Sequence, residues 1–278
     1  MSKLLDTVRT EIFQAIEADQ LTLPTLPEVA MKVREKAEDP EASISELVKV
    51  ISQDAALAAR IIKVTNSPLL RAPQEVKDLS MAVSRLGMNY TANLATGLAM
   101  EQMFQATSDI IDQRMRATWN STTQIAAISH VLAQKFTRIP ADEVTLCALV
   151  HKLGVLPILT FAEERDDLIR DGISLDKIIT ILHPDITVMI LKKWDFPEAV
   201  QEVAKSYQNF KSPVSTVGYT EIIRLASLIH YYGQKNLLAR VDWKIVPAFT
   251  AIGIEPDPES EQIQEIISEA QQAQEVFI

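Results

Sequence analysis

Ser43-Ile44-Ser45-Glu46-Leu47-Val48-Lys49-Val50-Ile51, then Ser52-Gln53-Asp54, then Ala55 to Thr65 and Asn66-Ser67-Pro68, is the stretch that decides the fold. Ser43 and Glu46 have the spacing of a capping box, in which a serine hydroxyl and a glutamate carboxylate satisfy the first orphan N–H groups of a helix. That predicts a helix through Ile51. Asp54 is placed to cap a second helix, Ala55 to Thr65, with Leu57, Ile61, Ile62 and Val64 as its apolar positions. Asn66-Ser67-Pro68 ends it.

The same alternation of cap, apolar period and breaker extends outward. Leu4, Leu5, Val8, Ile12, Ala15 and Ile16 recur at three- and four-residue steps, so residues 3–18 read as an amphipathic helix. Leu21-Thr22-Leu23-Pro24-Thr25-Leu26-Pro27 carries two prolines three apart and reads as an extended connector, with Pro27 as the first residue of the next helix. Helices are predicted at 79–86, closed by Gly87, and at 89–104, 109–135 and 143–153, the last closed by Gly154. Shorter ones follow at 156–163, 174–181, 185–193 and 198–207. Lys211 to Gly218 reads as a loop and a domain boundary. The last helices are predicted at 220–232, 242–250 and 258–276, with Asp257 as cap and Pro258 in the first turn. No strand, repeat or low-complexity tract is apparent, so the fold class is all-α, with many short helices in an irregular arrangement.

Composition agrees. Seven glycines in 278 residues supply few positive-φ turns, which disfavours a hairpin-rich β fold. No uninterrupted apolar run reaches the ~20 residues of a membrane span, and residues 1–20 lack the pattern of a signal peptide. No membrane association is expected. The net charge of -10 argues against nucleic acid as a partner. Residues 255–278 hold seven acids and no lysine or arginine, which leaves only -3 for the rest. That tail is either a solvated acidic helix or a docking surface for a basic partner. The lone Cys147 sits in the apolar run 144–150 and reads as a buried structural thiol, in keeping with a cytoplasmic protein.

Spacing alone reveals no active site. The histidines, His130, His151, His183 and His230, include no pair four apart. Cys147 and His151 have that spacing, but zinc wants three or four ligands. There is no phosphate-binding glycine loop and no nucleophile elbow. No cofactor is expected. Trp119, Trp194 and Trp243 read as core anchors.

Several segments, taken in order, resemble the HDOD family, regulatory relatives of HD-type metal phosphohydrolases. They are Leu23 to Pro27, Glu46 to Leu57 with Ala55 where proline is usual, Leu57 to Ser67, Ala82 to Gly87, Leu149-Val150-His151-Lys152-Leu153-Gly154, and His183 with Leu191, Trp194, Phe196 and Pro197. The resemblance covers about Leu21 to Phe210. It implies an HD-like multi-helix fold divided as an N-terminal helix (1–20), an HDOD-like domain (21–212) and a C-terminal helical extension packed on it (213–278). It also implies where an active hydrolase would hold metal. The first histidine falls on Asn120, the His-Asp pair on His151-Lys152 and a further histidine on His183. The later His-His pair falls on Ser206-Tyr207, and the closing aspartate near Ser227. Lys152 puts a cation where a carboxylate would offset the ion's charge. No catalytic or metal-binding residue is therefore expected.

As local alternatives, His151 bonds a neighbouring helix, His183-Pro184 opens a helix, and Lys152 is exposed or paired with an acid such as Asp185. The implied function is a non-catalytic signal-transduction module of bacterial type that works through contacts with signalling proteins. The alternatives are a residual phosphohydrolase and a nucleotide second-messenger sensor in which Lys152 meets phosphate. Arg60, Lys63, Asn66, Arg71 and Arg85 form the candidate interaction surface, in a segment with five basic residues against two acids. The N-terminal helix and the acidic tail are further candidate surfaces.

Overall fold

Apolar residues at helical steps become buried helix faces, and no strand forms among the described residues. The computed structural model describes residues 2–68, 70 and 74–277, with side chains described for all of these except 2 and 273–277. In chain order the first helices are α1 (Ser2–Glu17), α2 (Glu28–Glu38), α3 (Ile44–Ile51), α4 (Ala55–Thr65), α5 (Leu79–Leu86) and α6 (Met88–Ala99). Then come α7 (Asp109–Phe136), α8 (Ala141–Val150), α9 (Val155–Glu163), α10 (Asp166–Arg170) and α11 (Gly172–Lys193). The last are α12 (Glu198–Ser206), α13 (Tyr219–Tyr231), α14 (Pro247–Ile252) and α15 (Glu261–Phe277).

The caps act where the sequence sets them. The Ser43 hydroxyl accepts from the Glu46 N–H at 3.3 Å, and Glu46 accepts from the Ser43 N–H at 2.8 Å, a closed capping box at the start of α3. The Asp54 carboxylate accepts from the Leu57 N–H at 3.0 Å and opens α4. Gly87, at φ +83°, closes α5.

Other expectations need correction. Pro27 is the residue before α2, at φ -53° and ψ 138°, rather than its first helical residue. The helix expected to reach Phe104 ends at Ala99 and continues as a 3-10 turn, Met100–Met103. The helix expected over 143–153 ends at Val150. Gly154 has φ -64°, so it is not a left-handed cap. It is small because a Cβ there would lie 2.3 Å from the His183 carbonyl oxygen and 2.6 Å from the Thr187 nitrogen.

The two helices expected on either side of Pro184 are one, α11. His183 and Pro184 therefore lie inside a helix and do not open one. Buried Leu182, Ile186 and Ile190, four residues apart, keep one face of α11 in contact with the core across the proline. The short α10 was not anticipated. In place of 242–250, a 3-10 turn at Trp243–Ile245 precedes α14, which starts at Pro247. α15 starts three residues after Pro258. Asp257 instead accepts from the Glu259 N–H at 3.0 Å, which closes a turn before the helix.

The chain forms two compact units, each assembled from separated segments. One comprises Met1–Thr25, Glu101–Asn120 and Val150–Ser206; the other comprises Leu26–Met100, Ser121–Leu149 and Tyr207–Ile278. In the first, α11 is the centre, and α1, α9, α10 and α12 pack on it or on one another. α1 buries Val8 and Ile12, and Arg9 reaches Asp185 of α11 at 3.7 Å. The Trp194 indole N–H donates to the Pro24 carbonyl at 3.0 Å, so the proline connector is fastened to the end of α11. In the second, α2 lies along α6, α3 to α6 form a cluster, and α15 packs on α4.

Trp119, Trp194 and Trp243 are all buried, as expected of core anchors. The segment Ala141–Glu163 is apolar and long enough to cross a membrane by composition, but 83% of its most apolar window is buried inside the fold.

Candidate functional site

In the first unit, His151 and Lys152 enter a tight turn that presses against the middle of α11 at His183 and Thr187. The Gly154 N–H donates to the Thr187 hydroxyl at 2.8 Å, and that hydroxyl donates to the His183 carbonyl at 2.7 Å. The backbone after Lys152 is thereby fixed one helical turn from His183. His151, Lys152 and His183 are all buried; Lys152 is 7% exposed, against the expectation of an exposed amine. Asp185, suggested as its acid, is engaged by Arg9. Burial, reinforced by the nearby charge of Lys152, pushes the His183 imidazole down to about 3. His183 is therefore neutral at physiological pH.

Asn120 is exposed on α7. Ser206, half-buried at the end of α12, donates to Glu202. Tyr207 and Ser227 belong to the second unit and are satisfied there. The Tyr207 hydroxyl accepts from Gln208 at 2.8 Å, and the Ser227 hydroxyl donates to the Ile223 carbonyl at 2.8 Å. Among the described residues, no three His, Cys, Asp or Glu side chains gather as a metal-binding group.

The candidate interaction surface is partly consumed by internal bonds. Asn66 donates to the Val76 carbonyl at 2.7 Å and accepts from the Val76 N–H at 2.8 Å, closing the loop between them. Arg85 donates to the Leu70 carbonyl at 2.9 Å. Arg60 is half-buried, and burial lowers its guanidinium below the usual range, against the opposing charge of Asp54. Lys63 is exposed, and Arg71 lies outside the described residues. The acidic tail is anchored as well. Ile263, Ile266 and Ala270 of α15 are buried, and Lys135 holds Glu265 at 2.9 Å and Glu269 at 2.7 Å.

Three further polar groupings lie in the second unit, and of their partners only Glu221 and Arg224, three apart on α13, carry a sequence signal. The Ser121 hydroxyl lies 2.9 Å from His230 Nε2 and 2.6 Å from the Tyr231 hydroxyl, across 109 residues of chain. Arg224, fully buried, donates to the Tyr207 carbonyl at 3.3 Å and pairs with Glu221 at 3.2 Å. The Thr145 hydroxyl donates to the Ala141 carbonyl at 2.6 Å, so it accepts from His130 Nδ1–H at 3.0 Å. His130 Nε2 is then a buried lone pair with no hydrogen-bond partner among the described residues, and burial pushes this imidazole down to about 4. Cys147 is buried as expected, and burial, with the charge of Glu143, raises its thiol.

Known proteins share this fold. The "putative metal-dependent phosphohydrolase" of Shewanella amazonensis SB2B is 29% identical, with each chain fully covered and a TM-score of 0.86. An HDOD domain protein of unknown function from Geobacter sulfurreducens shares the fold at 18% identity and TM-score 0.68, covering 98% of this chain and 99% of its own. The "putative signal transduction protein" of Marinobacter aquaeolei VT8 shares it at 20% identity and TM-score 0.63, covering 98% of this chain and 66% of its own. An uncharacterised protein of Treponema pallidum is 25% identical over 237 residues, 78% of this chain, which spans 45% of that protein's length. The proline connector tied to Trp194, the capped α3–α4 pair and the His151 turn against α11 all lie within residues 23–210, which match the HDOD domain, and the chain belongs to that family.

Proposed function

We propose that this chain is a non-catalytic module of bacterial signal transduction that works through contacts with other proteins. The observation that carries the reading is the buried Lys152 beside His183. The resemblance to HD hydrolases puts a metal-binding carboxylate at that position. Two histidines and a lysine do not suit a divalent ion, which needs anionic donors to offset its charge. Activation of water by such an ion is therefore no part of the proposal. Membership of the HDOD family supports a signalling role, as does the shared fold with a protein named for signal transduction. A cytoplasmic location belongs to the same proposal, supported by burial of Ala141–Glu163 and of the Cys147 thiol.

Metal analysis of the purified chain, with a panel of nucleotides and cyclic dinucleotides as substrates, tests the assignment. The expected result is no stoichiometric metal and no turnover. A second reading, a residual metal-dependent phosphohydrolase, is favoured by the name of the Shewanella relative. Turnover abolished by His151→Ala would establish it and overturn the first.

A further inference from the structure

We propose that the connector from Tyr232 to Val246 is a docking surface for an acidic amphipathic helix of a partner protein. The proposal rests on the adaptor reading and names the chemistry of its partner. The connector lies beyond the residues that match the HDOD domain. Two 3-10 turns, Leu238–Arg240 and Trp243–Ile245, build it, and it is fixed from beneath. Leu238, Trp243 and Val246 are buried, the Trp243 ring stacks on Phe249 at 4.9 Å, and the edge of Tyr232 meets Trp243 at 5.6 Å.

On this rigid base, three large apolar side chains face solvent: Tyr232 at 43%, Leu237 at 42% and Ile245 at 47% exposure. Between them stand Lys235, Arg240 and Lys244, all exposed and without an ion pair among the described residues. The one acid of the segment, Asp242, accepts from the Lys244 N–H at 3.1 Å as a turn cap. A chain of net charge -10 thus carries a segment with three cations to one acid, interleaved with apolar anchors, and Glu259 and Asp257 reach only its Tyr232 hydroxyl.

Charge complementarity selects the occupant. Exposed cations steer an acidic partner, and the apolar side chains gain on burial against its apolar face. An amphipathic helix presents both at its own period. The surface already holds one carboxylate, because the Tyr232 hydroxyl donates to Glu259 at 3.1 Å.

The test uses the whole chain and two fluorescent amphipathic peptides of about 18 residues, one of Leu and Glu and one of Leu and Lys, followed by anisotropy. The acidic peptide should bind. Its Kd should rise at least about tenfold in Leu237→Ala/Ile245→Ala and in Lys235→Glu/Arg240→Glu/Lys244→Glu, and should rise with salt. Equal Kd in wild type and both variants overturns the proposal, as does no binding or a preference for the Lys peptide. Binding to phosphatidylserine vesicles, or self-association that the variants abolish, also overturns it by assigning the surface to a membrane or a second copy. The two readings fail separately, since nucleotide turnover sinks the adaptor assignment whatever the peptides do.

Discussion

Mild acid should destabilise this protein well above the range where its carboxylates titrate. His130 and His183 are buried and neutral, with imidazoles near 4 and 3 in the folded chain against an ordinary value of 6.5. A histidine held below its unfolded value contributes most at high pH. As pH falls through 6.5, the unfolded chain binds a proton that the folded chain refuses until about 4 or 3. At pH 5 that difference is about 2 kcal/mol for each histidine, or about 4 kcal/mol for the pair. Whole domains are stable by only about 5–15 kcal/mol. Carboxylates held low in the fold, such as Asp112 and Asp171, have unfolded values near 3.8, so their contributions fade only at lower pH. Urea unfolding between pH 7.5 and 5 measures the loss, and NMR titration of the imidazoles assigns it. Unchanged stability across that window, or a folded His183 that titrates above pH 5, refutes the reasoning. Lys152→Met should raise the folded His183 value and shrink its share, since the lysine charge is its second cause.

Gly154→Ala should cost about 3 kcal/mol or more in thermal unfolding, because its Cβ meets backbone at 2.3 and 2.6 Å. Gly97→Ala should cost clearly less in the same assay, since the close atom at 2.4 Å is the tip of the Leu149 side chain, which can turn away. Asn66→Ala leaves the N–H and C=O of buried Val76 without their partner, and urea unfolding should register about 2–3 kcal/mol. Lys135→Ala removes the cation between Glu265 and Glu269; a loss of about 1 kcal/mol and faster amide exchange in α15 are expected, and high salt should mimic both.

Local chemistry was legible where it is short-range. The Ser43 box, the Asp54 cap and Gly87 act within four residues, so spacing suffices to find them. Pro184 misled because its effect on α11 is decided by packing along Leu182, Ile186 and Ile190, which spacing does not reveal. Gly154 was read as a cap when its smallness serves a contact with residues some thirty positions away. The resemblance located His151, Lys152 and His183, and only the fold shows the lysine buried beside His183. It gave no hint of Arg224 with the Tyr207 carbonyl, or of Ser121 with His230, because no fixed spacing links such partners. Asn66 belongs by sequence to the candidate interaction surface, and in the fold its side chain holds the backbone of Val76.

The Asn66 amide does for the loop it closes what a clasp does for a bracelet. It grips both polar groups of Val76, so one side chain sets the separation of the loop's two ends. With the two ends of the loop held, extra chain between them costs little. Doubling its length adds only about 0.6 kcal/mol of closure entropy. The position suits the insertion of a reporter peptide, and it is where relatives of this chain could acquire new sequence without disturbing α4 or α5.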